Sequence, residues 1–170
     1  MKKFIPFFLI AFFSLCIVSC NSDDNNYNYI DNDTIAEVYE LRNENFTREN
    51  DYYYSLSKSF NRPLYSGDMV LIFKQDGVLN GNPIWVPLPK SYYLPEGYLE
   101  YTYDFTVNDI KIYADANFIL SNTNYISGQT FRVLVVPAIQ GRSATATVDL
   151  TDYNSIIKYY NINDKNIKKL

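Results

Sequence analysis

Tyr98-Leu99-Glu100-Tyr101-Thr102-Tyr103-Asp104-Phe105-Thr106 decides the fold class of this 170-residue chain. Leu99, Tyr101, Tyr103 and Phe105 share one parity, and Glu100, Thr102, Asp104 and Thr106 share the other. Successive side chains of an extended strand point to opposite faces, so the stretch predicts a strand with one apolar and one wet face. After a polar turn at Asn108-Asp109 the alternation resumes, with Ile110, Ile112, Ala114, Ala116 and Phe118 inward and Lys111, Tyr113, Asp115 and Asn117 outward. The two segments are expected to pair as a hairpin. Ala144, Ala146, Val148 and Leu150 alternate with polar residues to give a third such strand. One buried face per strand is the mark of antiparallel sheets.

Working outward, Met69 to Phe73 and Val133 to Val136 are apolar throughout and read as central strands. Tyr52, Tyr54 and Leu56 alternate with Tyr53, Ser55 and Ser57 in an aromatic strand, with Phe46 placed on its extension. Thr34 to Leu41 satisfies both spacings, and its β-branched content favours a strand. Turns are expected at Ser66-Gly67-Asp68, Asp76-Gly77, Asn80-Gly81-Asn82, Pro95-Glu96-Gly97 and Gln140-Gly141. Ile84 to Pro89 is extended but carries two prolines without backbone donors, which places it at a sheet edge or in a crossing between sheets. Tyr153, Ile156, Ile157 and Tyr160 fall at helical spacing behind Asp152 as N-cap, and Asn161 to Leu170 reads as a frayed tail. The whole predicts an all-β chain, an antiparallel β-sandwich, immunoglobulin-like or related, with one short C-terminal helix.

The first nineteen residues are of another kind. Met1-Lys2-Lys3 precedes an apolar run from Phe4 to Val18, and Ile17-Val18-Ser19-Cys20 resembles a bacterial lipoprotein lipobox. The run is shorter than the roughly 20 apolar residues a membrane span needs, so residues 1–19 read as a cleaved signal peptide and Cys20 as the lipidated first residue of the mature chain. Loss of residues 1–19 also removes Cys16 and leaves a single cysteine, so no intramolecular disulfide is expected. Residues 20–33 are rich in Asn and Asp and cannot bury enough to fold, which makes them a tether. Ser22-Asp23-Asp24 resembles the acidic signal that exports Bacteroidota lipoproteins to the outer face of the outer membrane. Asp33-Thr34-Ile35 resembles the tripeptide those bacteria O-glycosylate, which singles out Thr34. A single domain is expected over residues 34–165, since the 151 residues left after cleavage suffice for one core.

Function classes are narrowed by what the chain lacks. It has no histidine, which removes the commonest general base and transition-metal ligand. No metal and no cofactor are expected. Cleavage takes Lys2 and Lys3 from the fifteen basic residues and none of the nineteen acidic ones, leaving a formal charge of −6 and no basic patch. Nucleic acid is therefore not an expected partner. Glu100 and Asp104 lie on one strand face roughly 13 Å apart, too far for a glycosidase pair, whereas Asp115 on the neighbouring arm leaves a hydrolase reading open. All seventeen tyrosines lie downstream of Cys20. Tyr53, Tyr92, Tyr93, Tyr113 and Trp85 do not fit the core pattern, and of these Trp85, Tyr92 and Tyr93 are the candidate ligand-stacking residues.

Trp85 to Leu94, Gly97 to Thr106 and Asp109-Ile110, followed by Phe131 to Pro137 and Asp152-Tyr153-Asn154, resemble a family of small Bacteroidota lipoproteins. The resemblance covers roughly residues 60–160 together with the lipobox. It implies a lipidated envelope protein and carries no activity and no catalytic residue with it. The expected function is a non-enzymatic binding or envelope-structural module of the outer membrane, lipid-anchored at Cys20 and facing the cell surface. A glycan or an envelope protein is the expected partner, with glycan capture beside a polysaccharide-uptake system as the alternative and a carboxylate-dependent hydrolase as a third reading. Cys20→Ser is expected to move the protein from the membrane pellet to the soluble fraction with an unchanged thermal melt. A variant with its signal peptide cleaved that still pelleted with membranes would refute the lipid anchor.

Overall fold

The computed structural model describes residues 35–120, 123–137, 148–165 and 167–170, all belonging to one unit, Asp31–Leu170. The signal peptide, Cys20, the tether, Thr34, the turn at Gln140-Gly141 and residues 144–147 lie outside the described residues. The elements in chain order are β1 (Glu37–Glu44), β2 (Thr47–Arg48), β3 (Tyr53–Ser59), β4 (Met69–Leu79), β5 (Asn82–Pro87), β6 (Lys90–Leu94), β7 (Gly97–Phe105), β8 (Asp109–Ala116), α1 (Thr123–Ile126), β9 (Gln129–Val136), α2 (Tyr153–Tyr159) and β10 (Lys168–Lys169). They form two five-stranded sheets, β10-β1-β9-β4-β5 and β2-β3-β8-β7-β6. Every strand pair is antiparallel except β1 with β10. The chain is an all-β sandwich with a short C-terminal helix.

The hairpin read from the sequence is β7 paired with β8, Leu99 opposite Ala116 and Tyr103 opposite Ile112. Leu99, Tyr101, Ile110, Ile112 and Ala114 are buried, and they meet Leu41, Val70, Ile72, Phe131 and Val133 of the first sheet in one core. Two tyrosines of β7 make that burial tolerable by finding acceptors for their hydroxyls. Tyr101 Oη donates to the Tyr125 carbonyl at 2.5 Å, and Tyr103 Oη reaches across to the Val70 carbonyl at 2.9 Å, tying the sheets together. The alternation fails at the strand end: Phe105 was expected inward but is 42% exposed, because the sheet runs out beneath it.

The apolar runs are interior strands, β9 lying between β1 and β4. The proline-bearing stretch serves both roles assigned to it. β5 is the edge of the first sheet, Leu88-Pro89 is a cis peptide, and β6 is the edge of the second. Asn80-Gly81 makes the β4–β5 hairpin with positive φ at both residues, the geometry that suits right-twisted strands. Asp76-Gly77 is a bulge inside β4 and not a turn, since the register slips between Gln75 and Gly77. Phe46 sits on no extension of β3. It precedes β2, donates its backbone N–H to the Ile126 carbonyl at 2.8 Å, and packs edge-on to Tyr101 and Phe131. Val148 to Leu150, the described end of the third predicted strand, is not extended into a sheet. The tail is not frayed at its end: β10 pairs with β1, and Leu170 packs on the core. A single-turn helix, α1, was not foreseen.

The outer face of the first sheet is covered. Asp152 caps α2, accepting from the backbone N–H groups of Asn154 and Ser155, and Tyr153 and Ile156 are buried with Val38, Phe73, Leu134 and Val136. A seven-residue helix is unstable by itself, so this packing holds it. Arg132 of β9 stands at the centre, its guanidinium 4.5 Å from the Trp85 ring and 5.0 Å from the Tyr153 ring. It is bridged to Glu40 at 3.3 Å and Asp164 at 3.4 Å and donates to Tyr153 Oη. One buried cation thus joins β1, β5, β9, α2 and the C-terminal segment. Arg132→Ala is expected to cost about 3 kcal/mol or more in urea unfolding, because it removes the cation shared by Glu40, Asp164 and Tyr153 Oη and opens the Trp85–Tyr153 contact. Arg132→Lys should recover only part of this, since an ammonium cannot reproduce the planar fork.

Candidate binding face

The outer face of the second sheet is assembled by register. Tyr93 of β6 lies opposite Tyr98 of β7, Ser91 opposite Glu100, Glu100 opposite Asp115 of β8, and Asp115 opposite Tyr53 of β3. Next along, Thr102 faces Tyr113 and Tyr113 faces Ser55, then Asp104 faces Lys111. These residues have the parity opposite to the core set, so they share one side of the sheet. Neither described helix packs there: α2 lies on the first sheet against β5, and Ile126 of α1 enters the core.

Four tyrosines dominate this side. The Tyr53 and Tyr113 rings are nearly parallel, centroids 5.5 Å apart and planes at 18°. Tyr93 and Tyr98 form a tilted pair at 5.7 Å, and Tyr93 is 88% exposed. The Gly97 turn fixes the second pair. Gly97 has φ +145°, and a Cβ there would fall 2.3 Å from Asn117 Oδ1, the atom that accepts from the Tyr98 N–H at 2.6 Å. Only glycine allows that approach.

Hydroxyls and carboxylates fill the space between the rings. Tyr113 Oη donates to Asp104 at 2.6 Å, and this bond to a carboxylate is the main reason its phenol is pushed up to about 12. Tyr53 is shifted upward too, by partial burial first and then by Asp115, Asp104 and Glu49. Ser91 Oγ donates to Glu100 at 3.0 Å and lies 3.2 Å from Tyr98 Oη. Ser55 Oγ donates to Glu49 at 2.6 Å, and Lys111 stands 3.8 Å from the same carboxylate and 5.4 Å from the Tyr113 ring. Among the described residues Glu49, Glu100, Asp104 and Asp115 thus outnumber the single ammonium of Lys111, and the face is negative and rich in acceptors. Glu100 and Asp115 are cross-strand neighbours on this side of the sheet. Among the described residues no group of three or more His, Cys, Asp or Glu could hold a metal ion.

The three stacking candidates occupy three different settings. Trp85 is on the outer face of the first sheet beneath Arg132. Tyr92 turns inward, edge-on to Tyr101 at 5.9 Å, with its hydroxyl donating to Asp76 at 2.6 Å. Tyr93 alone belongs to the open face. Tyr53 and Tyr113 join it there, and the sequence had already set them apart from the core. Tyr98 was missed, although its parity with Glu100 and Thr102 was the signal.

Tyr92 has a different duty, as a wall around Lys74. The ammonium of Lys74 lies 5.2 Å from the Tyr101 ring, 5.7 Å from the Tyr92 ring and 4.0 Å from Asp76, in a side chain facing the core. Burial lowers its pKa below 10.5, against the upward pull of Asp76. Burial and Asp76 together raise the phenol of Tyr92 well above its usual range. Cavities of about 500 Å³ between β1 and the tail and about 550 Å³ beside Trp85 and Arg132 lie on the first sheet, away from the open face.

Comparison of the chain with family models, curated proteins and solved structures finds no match.

Lys74→Met is expected to be at least as stable as the parent at neutral pH, since it removes a charge whose burial outweighs the pull of Asp76. With a folded-state pKa below the unfolded 10.5, the unfolded parent binds more protons between those values, so parent stability rises with pH across that interval. Thermal melts of both proteins should therefore converge as pH climbs toward 10.5. A gap that stayed constant would show that Lys74 titrates normally.

Proposed function

We propose that this protein is a lipid-anchored, non-enzymatic binding module of the outer-membrane surface that holds its partner on the open face of the second sheet. The observation that carries the reading is the contrast between the two sheets. The first sheet is sealed by α2, Trp85 and the C-terminal segment around Arg132. The second leaves Tyr53, Tyr93, Tyr98 and Tyr113 on its outer side, where their rings serve no core. Rings of this kind supply large contact area at low entropic cost, with a hydroxyl at one end for hydrogen bonding. The anchor rests on the apolar leader ending in Ile17-Val18-Ser19-Cys20, and the outward orientation on Ser22-Asp23-Asp24 directly behind it. The Asn- and Asp-rich tether would hold the body clear of the bilayer, free to meet material at the surface. The absence of histidine argues against hydrolytic machinery of the histidine type.

Two measurements test the proposal. Protease treatment of intact cells should remove the body without permeabilisation; protection until the outer membrane is opened would place it in the periplasm. Full-length protein, solubilised in a detergent without sugar, should co-sediment with envelope fragments from cells that lack it. The Tyr53→Ala, Tyr113→Ala double variant should bind about tenfold less, the loss expected when roughly 1.4 kcal/mol of ring contact is removed, with its melting temperature unchanged. Equal sedimentation of parent and variant would show that this face is not the binding surface.

A further inference from the structure

We infer that the ligand of the open face is a neutral glycan chain lying across β6, β7, β8 and β3, a conclusion that rests on the face being the binding surface. The rings come in two pairs. With strands about 4.8 Å apart and a rise of about 3.4 Å per residue, the Tyr93–Tyr98 pair and the Tyr53–Tyr113 pair are separated by about 14 Å along a diagonal. An extended ligand is needed to touch both.

Ring pairs stack on anything that presents a face, and the charges between and beside them narrow the choice. Bases of single-stranded nucleic acid stack on such rings, but their binding also requires a positive groove for the phosphates. This face carries Glu49, Glu100, Asp104 and Asp115 against Lys111, which repels phosphate, sulfate and uronate alike. A neutral sugar meets no such repulsion. Its ring offers C–H groups of slight positive charge to the negative faces of the tyrosines. Its hydroxyls donate to carboxylates, and the face offers carboxylates already oriented by neighbouring hydroxyls. Glu100 lies beside Ser91 and Tyr98 Oη, and Asp104 lies beside Tyr113 Oη. A basic peptide would satisfy the charge as well, and the protease arm of the test separates it from the glycan. Asp115, between the two ring pairs and directly opposite Glu100, is placed to accept from a ligand hydroxyl at the centre of the track.

The test uses full-length protein and the same envelope fragments in three forms: untreated, digested with protease, and oxidised with periodate, which cleaves the vicinal diols of sugars. Binding should survive protease, fall at least tenfold after periodate, and change little when salt is raised to screen charge. Tyr98→Ala should weaken it by about tenfold, about 1.4 kcal/mol, with an unaltered melt. Binding lost to protease and kept after periodate would overturn the glycan and point to a protein. If salt abolished it as well, that protein would be basic. In either case sensitivity to the Tyr53, Tyr113 double variant would preserve the open face as the binding surface. Fragments that bound parent and double variant equally, or neither, would overturn both conclusions together.

Discussion

Arg132 is the contact on which the rest of the molecule depends. An arginine 9% exposed on the middle strand of a sheet is costly unless its charge is paired and its flat faces are packed. Here Trp85 and Tyr153 lie along its planes while Glu40, Asp164 and Tyr153 Oη receive its hydrogens. Each partner comes from a different part of the chain. Satisfying this one cation therefore fixes where β5 ends, where α2 lies and how the last residues return. Burial raises the Tyr153 phenol to about 12, Arg132 pulling it down and Asp164 pushing it up, so the contact is carried by a neutral ring.

Sealing one sheet in this way divides the labour between the two. The inner core holds the sandwich, with Tyr103 bonded across it and Tyr101 capped by the α1 carbonyl, and the covered sheet gives it bulk on one side. The other sheet can then present side chains that contribute little to stability. A strand of the covered sheet is constrained on both faces, as Phe73, Leu134 and Val136 show by lying under α2. A strand of the open sheet is constrained on one only, and that freedom is what a surface for recognition requires.

Much of this was readable in the chain itself. β7 and β8 announce themselves because they are amphipathic, and α2 because its four apolar residues fall on one helical stripe behind a capping aspartate. Ile84 to Pro89 was legible through the missing donors of its prolines. Other features were hidden for physical reasons. Phe46 follows no period because a lone anchor in an irregular segment has no neighbours to alternate with. Asp76-Gly77 reads as a turn because the same residues serve a bulge, and only the partner strand tells the two apart. Lys74 breaks the apolar pattern of β4, and nothing local says that Tyr92 and Tyr101 will receive it. The tail lacks a stripe because β10 is held by pairing and by Leu170, not by amphipathicity.

For the candidate site the same division holds. The sequence by itself determined the all-β class, the hairpin, the proline crossing and the capped helix, because each follows from periodicity, backbone chemistry or capping within a few consecutive residues. It also determined that Tyr53, Tyr93 and Tyr113 fall outside the core pattern. Only the tertiary structure decided which rings meet. Register across four strands brings Tyr53, Tyr93, Tyr98 and Tyr113 to one side, sends Trp85 beneath Arg132, and turns Tyr92 inward toward Lys74. Parity sets which way a side chain points from its own strand, whereas its companions depend on strand order, and strand order is fixed by contacts between residues far apart in the chain.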